Sequence, residues 1–242
     1  PRLWFDDVKK SELKAKLAMD RFKSLREEII NNASKHREQV PADKLIFDLD
    51  QFPDENWLPT WEAWGSHIYP TDNALYWNSL AWSLCDDKTA GEYAKNVLIR
   101  LAAYDNWTHP WQTKRGRYSE HRTGSWSHRL ALAYDLVYDL MNEQERAQVR
   151  KAFVDNLVKG AHKSYVLDNN ITCNTSNWIA MVAGGSLMIQ TAVFGDGTDT
   201  EYMEPYFTGA AMKLNTFLNR VMDPDGAWGE GYGYNSYSFH NL

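Results

Sequence analysis

The stretch 176–193 constrains the fold most, because it is apolar on nearly every side of a helix. A surface helix needs one apolar stripe, so a helix without a polar face has to be surrounded by other elements. Serine, glutamine and threonine interrupt the stretch, and nowhere does the chain approach the roughly eighteen uninterrupted apolar residues of a membrane span. We therefore predict a buried helix that ends at the turn 195–197, where two glycines flank an aspartate.

Helical periodicity continues outside this stretch. Leu13, Leu17, Phe22, Leu25 and Ile29 recur about one helical turn apart and predict one long amphipathic helix at about 9–36. Further helices are predicted at about 74–84, 89–104, 125–141 and 201–222.

Two local signals complete the prediction. Asn142 begins a further helix, and Glu145, three residues later, is placed to close a capping box. The stretch 40–73 is punctuated by proline and tryptophan and is predicted to be irregular. No strand alternation and no linker appear, so residues 1–242 are predicted to form one all-α domain of antiparallel helical hairpins. A bundle and a ring of hairpins both satisfy this pattern.

Charge and cysteine content exclude several classes of function. The chain has 26 Lys and Arg against 32 Asp and Glu, which gives a net charge of −6. Proteins that bind nucleic acid generally have the opposite balance, so we expect no nucleic-acid partner. Two cysteines are too few for a disulfide framework or a four-cysteine zinc site, and no histidine spacing is typical of a metal site. We expect no cofactor.

The aromatic content is high, at 11 Trp, 13 Tyr and 9 Phe. Several of the tryptophans lie in polar, loop-like stretches, at 56–64 and 106–111. An exposed aromatic face beside polar groups suits a sugar ring, which has apolar faces and a rim of hydroxyls. The same residues could instead fix long loops onto the body of the protein.

Two polar segments precede apolar helices. Residues 114–122, with 127–129, form a basic cluster in an acidic protein, which is either a solvated loop or a site for carboxylate or sulfate. Residues 168–178 are rich in Asn, Ser and Thr, although one of these residues is enough to cap the helix that follows. The remaining amides and hydroxyls would suit a ligand at a helix N-terminus.

A third polar segment, 223–237, combines glycines with Glu230, Tyr232 and Tyr234. Glycine permits unusual backbone angles, and a structural turn would not need a glutamate and several tyrosines as well. This segment has more features of a functional site than any other in the sequence.

Taken in order, these segments resemble the heparinase II/III-like polysaccharide lyases, a group related to alginate lyases and dermatan sulfate epimerase. The resemblance rests on the opening residues 1–5 before a long helix, the central helix at 124–135, the Asn motif at 174–178, and the tyrosine motif at 225–234. It implies an (α/α) toroid, which this length of chain need not close completely. Relatives continue with further helices and β-sandwich domains, so it also implies the N-terminal part of a longer enzyme.

The reaction that the resemblance implies is β-elimination at a uronic acid of an acidic polysaccharide. A group must neutralise the substrate carboxylate, a base must take the C5 proton, and an acid must protonate the departing oxygen. On this resemblance Asn174 neutralises the carboxylate, and Tyr234 is the base and the acid. His128 joins them as a catalytic candidate that stabilises tyrosinate or holds an anion. The substrate-binding candidates are Trp61, Trp64, Trp107, Arg117, His121, Arg122, Asn177, Glu230 and Tyr232.

Two other functions remain open. A glycoside hydrolase on the same kind of toroid needs two opposed carboxylic acids, for which Asp72, Asp135, Asp225 and Glu230 are candidates. A non-catalytic carbohydrate-binding fragment would keep the aromatic cleft without the chemistry. A polysaccharide substrate implies a periplasmic or secreted protein, with an export signal that is not present in this chain. The sequence does not indicate an oligomeric state.

Overall fold

The computed structural model describes residues 3–44, 57–167, 176–197 and 203–222, without the side chains of 57–61 and 67. This part of the chain is mostly helical and contains no strand, which confirms the all-α prediction. The α-helices are α1 (Asp7–Leu17), α2 (Lys23–Gln39), α3 (Trp57–Cys85), α4 (Lys88–Leu101), α5 (Pro110–Thr113), α6 (His121–Val137), α7 (Glu143–Phe153), α8 (Lys159–Ala161), α9 (Trp178–Val193) and α10 (Glu204–Val221).

Two predicted elements differ from the structure. The single helix at 9–36 is instead α1 and α2, because Met19 adopts an extended backbone (φ −76°, ψ 143°) before the 3₁₀ turn Asp20–Phe22. The stretch 57–73, predicted to be irregular, is the first part of α3, which continues through Pro70 to Cys85. Packing of α3 against α2, α4 and α6 outweighs the local proline signal.

Three helices, α3, α6 and α9, lie side by side and run in the same direction. Along the contact between α3 and α6, Arg122 meets Glu62 and, further on, Arg129 meets Asp72. Along the contact between α6 and α9, His121 stacks on Trp178 near the start of both helices. The hydroxyl of Tyr134 donates to Asp196 just beyond the end of α9. Residue numbers increase together along both contacts, so the three helices are parallel.

The helices between these three run in the opposite direction. The α3–α4 connection is a tight hairpin, in which the Asp87 amide donates to the Ala81 carbonyl at 3.2 Å. After α6 the chain returns through α7, the π-helix Val154–Val158, α8 and the π-helix His162–Leu167. Along the chain, the parallel helices α3, α6 and α9 therefore alternate with segments that run in the opposite direction.

Two glycines allow α6 and α9 to approach closely. A Cβ atom at Gly124 would lie 2.7 Å from the Cα of Val182, and a Cβ at Gly185 would overlap the Gly124 carbonyl. The segment 176–193 is α9 and is buried almost throughout, as its sequence predicts. The two backbones therefore meet almost directly, which fixes the start of α9 beside the start of α6.

A buried polar network fixes the other end of α9. Asp196 accepts hydrogen bonds from the hydroxyls of Tyr134 and Tyr138, the latter at 2.8 Å, and pairs with Arg150 Nη1 at 3.1 Å. Arg150 also contacts Glu143 at 2.8 Å. The network joins α6, α7 and the turn after α9, so it holds the predicted buried helix in place at its C-terminal end.

The remaining local predictions are met in the described residues. The capping box between Asn142 and Glu145 is formed in both directions, with distances of 3.0 and 2.8 Å. The predicted final helix is α10. No helix of the described residues combines the length and the apolar character that crossing a bilayer requires.

Candidate functional site

The N-terminal ends of α3, α6 and α9 meet at one end of the molecule, because the three helices are parallel neighbours. Glu62 lies in the second turn of α3, His121 is the first residue of α6, and Trp178 is the first residue of α9. Each helix N-terminus carries about half a positive charge from its peptide dipoles. Three such ends, side by side, favour negative charge at this end of the fold, and the N-cap carboxylate of Glu120 supplies one such charge at the start of α6. We refer to this region as the N-terminal corner.

Glu120 immediately precedes α6 and is completely buried. Its carboxylate accepts the backbone N–H of Thr123 at 3.3 Å, which makes Glu120 the N-cap of the helix. The other carboxylate oxygen lies 3.1 Å from Nδ1 of His121. A carboxylate in this position complements the helix dipole and orients the neighbouring imidazole.

His121 connects two of the segments that the sequence singled out. Its ring stacks on Trp178, with 4.6 Å between the centroids and 25° between the planes. His121 belongs to the basic segment, and Trp178 ends the Asn-rich segment. Asn177, one of the predicted substrate-binding residues, immediately precedes Trp178 and is buried. The structure therefore brings His121 and Asn177 to the same corner.

Arg122 lies at the corner and is oriented by its contacts. Its guanidinium pairs with Glu62 at 3.2 Å, and only 5% of the residue is exposed. The guanidinium covers Gly65, where a Cβ atom would come within 2.7 Å of Nη1. A side chain at residue 65 would displace Arg122, so the glycine is needed for this arrangement.

Arg117 and Glu120 both lie close enough to the buried Tyr165 for their charges to affect its pKa. Arg117 Nη1 donates to Gln112 Oε1 at 3.4 Å. Burial raises the pKa of Tyr165, the charge of Glu120 raises it further, and the charge of Arg117 opposes both. The Tyr165 hydroxyl is buried without a hydrogen-bond partner among the described residues. Tyr165 lies in the π-helix His162–Leu167, and π-helical turns are frequent at functional sites.

His128 lies two turns further along α6 than His121. Burial lowers its pKa to about 4, and the nearby charge of Arg129 contributes in the same direction. The imidazole is therefore neutral at pH 7. It can donate or accept a hydrogen bond, so the role predicted for His128 would depend on a hydrogen bond to the anion and not on a positive charge.

Trp64 and Trp107 are core residues, with exposed fractions of 0% and 1%. Trp107 donates its indole N–H to the Leu101 carbonyl at 3.1 Å and packs against Trp126, with ring centroids 5.6 Å apart. Neither ring presents a free face, so the predicted stacking of Trp64 and Trp107 on sugars is corrected to a packing role. The alternative interpretation, in which such tryptophans fix the chain onto the body, describes both of them.

The remaining candidates lie outside the described residues. Asn174 precedes α9 in the gap 168–175, and Glu230, Tyr232 and Tyr234 all follow residue 222. The backbone of Trp61 is part of α3, but its side chain is outside the described part. Their predicted roles stay predictions.

Sequence reasoning missed Glu120 and Tyr165. Glu120 lies inside the basic segment, where a single acidic residue adds little to the charge pattern. Glutamate is not one of the residues that favour the N-cap position, so the usual capping patterns do not identify it either. Tyr165 has no local signal, because its burial depends on packing against α9.

No group of His, Cys, Asp or Glu within the described ranges could hold a metal ion. No family model matches this chain, and no curated protein matches it either.

Proposed function

We propose that the protein is a polysaccharide lyase that cleaves an acidic polysaccharide by β-elimination at a uronic acid. The observation that carries the proposal is that three parallel helix N-termini meet at one end of the fold. The side chain of Arg122 and the loop that contains Arg117 lie at the same end. Fixed dipoles and guanidinium groups at this corner suit the carboxylate on which negative charge develops as the C5 proton leaves.

The order of the helices supports a toroid for this fold. In a ring of antiparallel hairpins, the inner helices are parallel neighbours and each outer helix returns against its own inner helix. The contacts of α6 with α3 and with α9 fit this order, and in a toroid α4, the α7–α8 segment and α10 would take the outer positions. The proposed active site then lies at the N-terminal end of the inner helices.

The proposed reaction divides among a few residues. Asn174, three residues before the buried Asn177, would hydrogen-bond the substrate carboxylate and stabilise the charge that develops on it. Tyr234 would take the C5 proton as tyrosinate, the C4–O bond would break as the C4–C5 double bond forms, and the same tyrosine would return a proton to the departing oxygen. Arg122 and Arg117 would lower the free energy of the anionic forms.

The test is a screen of alginate, heparan sulfate, chondroitin and an ulvan for the absorbance of an unsaturated uronate product. With a polymer that responds, Tyr234→Phe should lower turnover by a factor of about 10² to 10⁴ and leave polymer binding nearly unchanged. Tyr237→Phe is the matched control and should retain turnover. Near-normal rates for Tyr234→Phe would contradict the assignment.

A second candidate, a glycoside hydrolase, is favoured by one observation. Burial raises the pKa of Asp72 to about 7, against a smaller opposing effect of Arg129. A carboxylic acid that stays protonated near neutral pH is suited to protonate a leaving oxygen. Asp135, another predicted carboxylate, instead accepts the backbone N–H of Leu3 at 3.1 Å. New reducing ends without an unsaturated product would favour the hydrolase over the lyase.

A further inference from the structure

A polar patch lies along the contact between α3 and α6, beyond the N-terminal corner. Tyr69 and Asp72 are three residues apart and share one face of α3. Ser125 and Arg129 are four residues apart and share one face of α6. The two faces meet where Nε of Arg129 lies 3.7 Å from Oδ2 of Asp72. We call Tyr69, Asp72, Ser125 and Arg129 the α3–α6 patch.

The patch is separate from the proposed active site. The pair of Arg122 and Glu62 lies at the corner, and Asp72 is ten residues after Glu62. Ten residues of an α-helix extend about 15 Å along its axis. Because α3 and α6 are parallel neighbours, Tyr69 and Ser125 both lie between the two ion pairs. A ligand on the patch would therefore leave the corner open.

The patch offers an exposed aromatic ring beside polar groups. Tyr69 is 47% exposed, and the side chains of Asp72 and Arg129 are 21% and 32% exposed. The guanidinium of Arg129 is held over the Tyr76 ring, at 4.0 Å from the centroid, by the attraction between a cation and the face of a ring. Its position beside Asp72 is thus fixed by a neighbouring side chain of α3.

Asp72 has an unused hydrogen-bonding atom. Its Oδ1 is buried and has no hydrogen-bond partner among the described residues. A buried polar atom without a partner destabilises the folded state, and a ligand hydroxyl that bonds to it removes this cost. The carboxyl group turns easily about its last torsion, so either oxygen can meet a ligand at the surface. Asp72 is therefore suited to bind a hydroxyl group.

The electrostatics of the patch favour a ligand without charge. Burial raises the pKa of Asp72 to about 7, and the charge of Arg129 opposes this shift. Burial and the charge of Arg129 together lower the pKa of the neighbouring His128 to about 4, so its imidazole is neutral. An anion would meet a carboxyl group that is partly ionised at neutral pH, and a cation would meet Arg129. An uncharged ligand avoids both repulsions.

A pyranose ring matches these features, because its faces are apolar and its rim carries hydroxyls. We propose that the α3–α6 patch binds an uncharged pyranose unit, with the sugar ring against Tyr69 and a hydroxyl hydrogen-bonded to Asp72. Ser125 and Arg129 can hydrogen-bond further hydroxyls of the same unit. The proposal does not depend on the lyase proposal, since it requires no reaction at the corner.

The experiment is calorimetric titration of the full chain with two uncharged oligosaccharides, cellohexaose and fully acetylated chitohexaose. We expect at least one of them to bind. Tyr69→Ala removes the exposed ring and should weaken this binding by about tenfold. Phe207→Ala is the matched control, because Phe207 is also 47% exposed but lies on α10. The control should change the affinity by less than about twofold.

Two substitutions of Asp72 test the polar contact. Asp72→Asn keeps an uncharged group that donates and accepts hydrogen bonds, so the affinity should change by less than about threefold. Asp72→Leu has no such group and should weaken binding by about tenfold. Thermal unfolding of each variant checks the fold, and Tyr69→Ala provides an independent test at an exposed position.

Several results would overturn the proposal. Neither oligosaccharide could bind the wild type, Tyr69→Ala could bind as tightly as the wild type, or Phe207→Ala could lose as much affinity. An oligogalacturonate of the same length that binds as tightly, and loses affinity with Tyr69→Ala, would contradict the choice of an uncharged ligand. All these readouts are binding affinities, so they are independent of whether any polymer gives an unsaturated product.

Discussion

The imidazole of His121 stacks on the indole of Trp178, with 4.6 Å between ring centroids. This contact joins the first residue of α6 to the first residue of α9, and with them the basic segment and the Asn-rich segment. The two segments are separated by about fifty residues of sequence. Their meeting is therefore a property of the tertiary fold.

The first prediction concerns this stack. Replacement of Trp178 by Ala removes the ring that fixes His121, and aromatic contacts of this kind contribute about 1 kcal/mol. We expect Trp178→Ala to lower kcat/KM on the responding polymer by about tenfold, while Trp178→Phe keeps most of the rate. Trp4→Ala removes an aromatic contact with Tyr76 elsewhere and serves as the control. Full activity of Trp178→Ala would contradict a role for the stack.

The second prediction concerns the contact between α6 and α9. Alanine normally stabilises a helix by about 1 kcal/mol relative to glycine. At Gly124 the added Cβ would lie 2.7 Å from the Val182 backbone, so we expect Gly124→Ala to destabilise the protein by about 2 kcal/mol. Urea unfolding measures the change and its sign. A variant as stable as the wild type would show that the two helices can move apart without a loss of stability.

The third prediction concerns Asp196 at neutral pH. Its carboxylate accepts from two tyrosines and pairs with Arg150, so Asp196→Asn should lower the free energy of unfolding by about 2 kcal/mol. Asp155→Asn is the matched control, since Asp155 pairs with two exposed lysines and should contribute less than about 1 kcal/mol. Equal losses in the two variants would contradict the importance of the buried network.

The same network predicts a dependence on pH. Burial alone would raise the pKa of Asp196, but the hydrogen bonds from Tyr134 and Tyr138 and the charge of Arg150 outweigh it, and the pKa lies below its usual value. The stability that the ionised Asp196 contributes is complete above about pH 4, the usual pKa of an unfolded aspartate. It is lost as the pH falls through the lower pKa that Asp196 has in the folded protein. In acid, the free energy of unfolding should therefore decrease more steeply with falling pH for the wild type than for Asp196→Asn.

The fourth prediction has the opposite sign. The pKa of Asp72 is about 7 in the folded protein, because burial raises it. Between about pH 4 and pH 7 the folded chain keeps a proton that the unfolded chain has released, so stability falls as pH rises through this window. Asp72→Asn should flatten this part of the pH profile. An NMR titration of the carboxyl group checks the value directly, and a midpoint near 4 would contradict it.

Elements with local signals could be predicted from the sequence. The capping box at Asn142 depends on residues three apart, and the buried helix α9 has no polar face. The start of α3 could not be predicted, because Pro70 and the polar residues around it indicate a loop. The break between α1 and α2 was missed for another reason, since the 3₁₀ turn at Asp20–Phe22 leaves the apolar period nearly unchanged.

The candidate site was predicted in part. The density of cations before α6 indicated His121 and Arg122, which lie at the N-terminal corner. Trp64 was misinterpreted because it was assigned to a loop, whereas a residue of α3 can face the core. Tyr165 is buried against α9 and is affected by the charge of Glu120, and no local pattern encodes either relationship.

The close packing of Gly124 against Gly185 limits how this protein can change. Elsewhere in a core, a larger side chain at one position can be accommodated by a smaller one opposite. Glycine is already the smallest residue, so neither position can make room for growth at the other. Each of the two positions should therefore be intolerant of substitution on its own. No paired exchange should restore the original spacing of the helices.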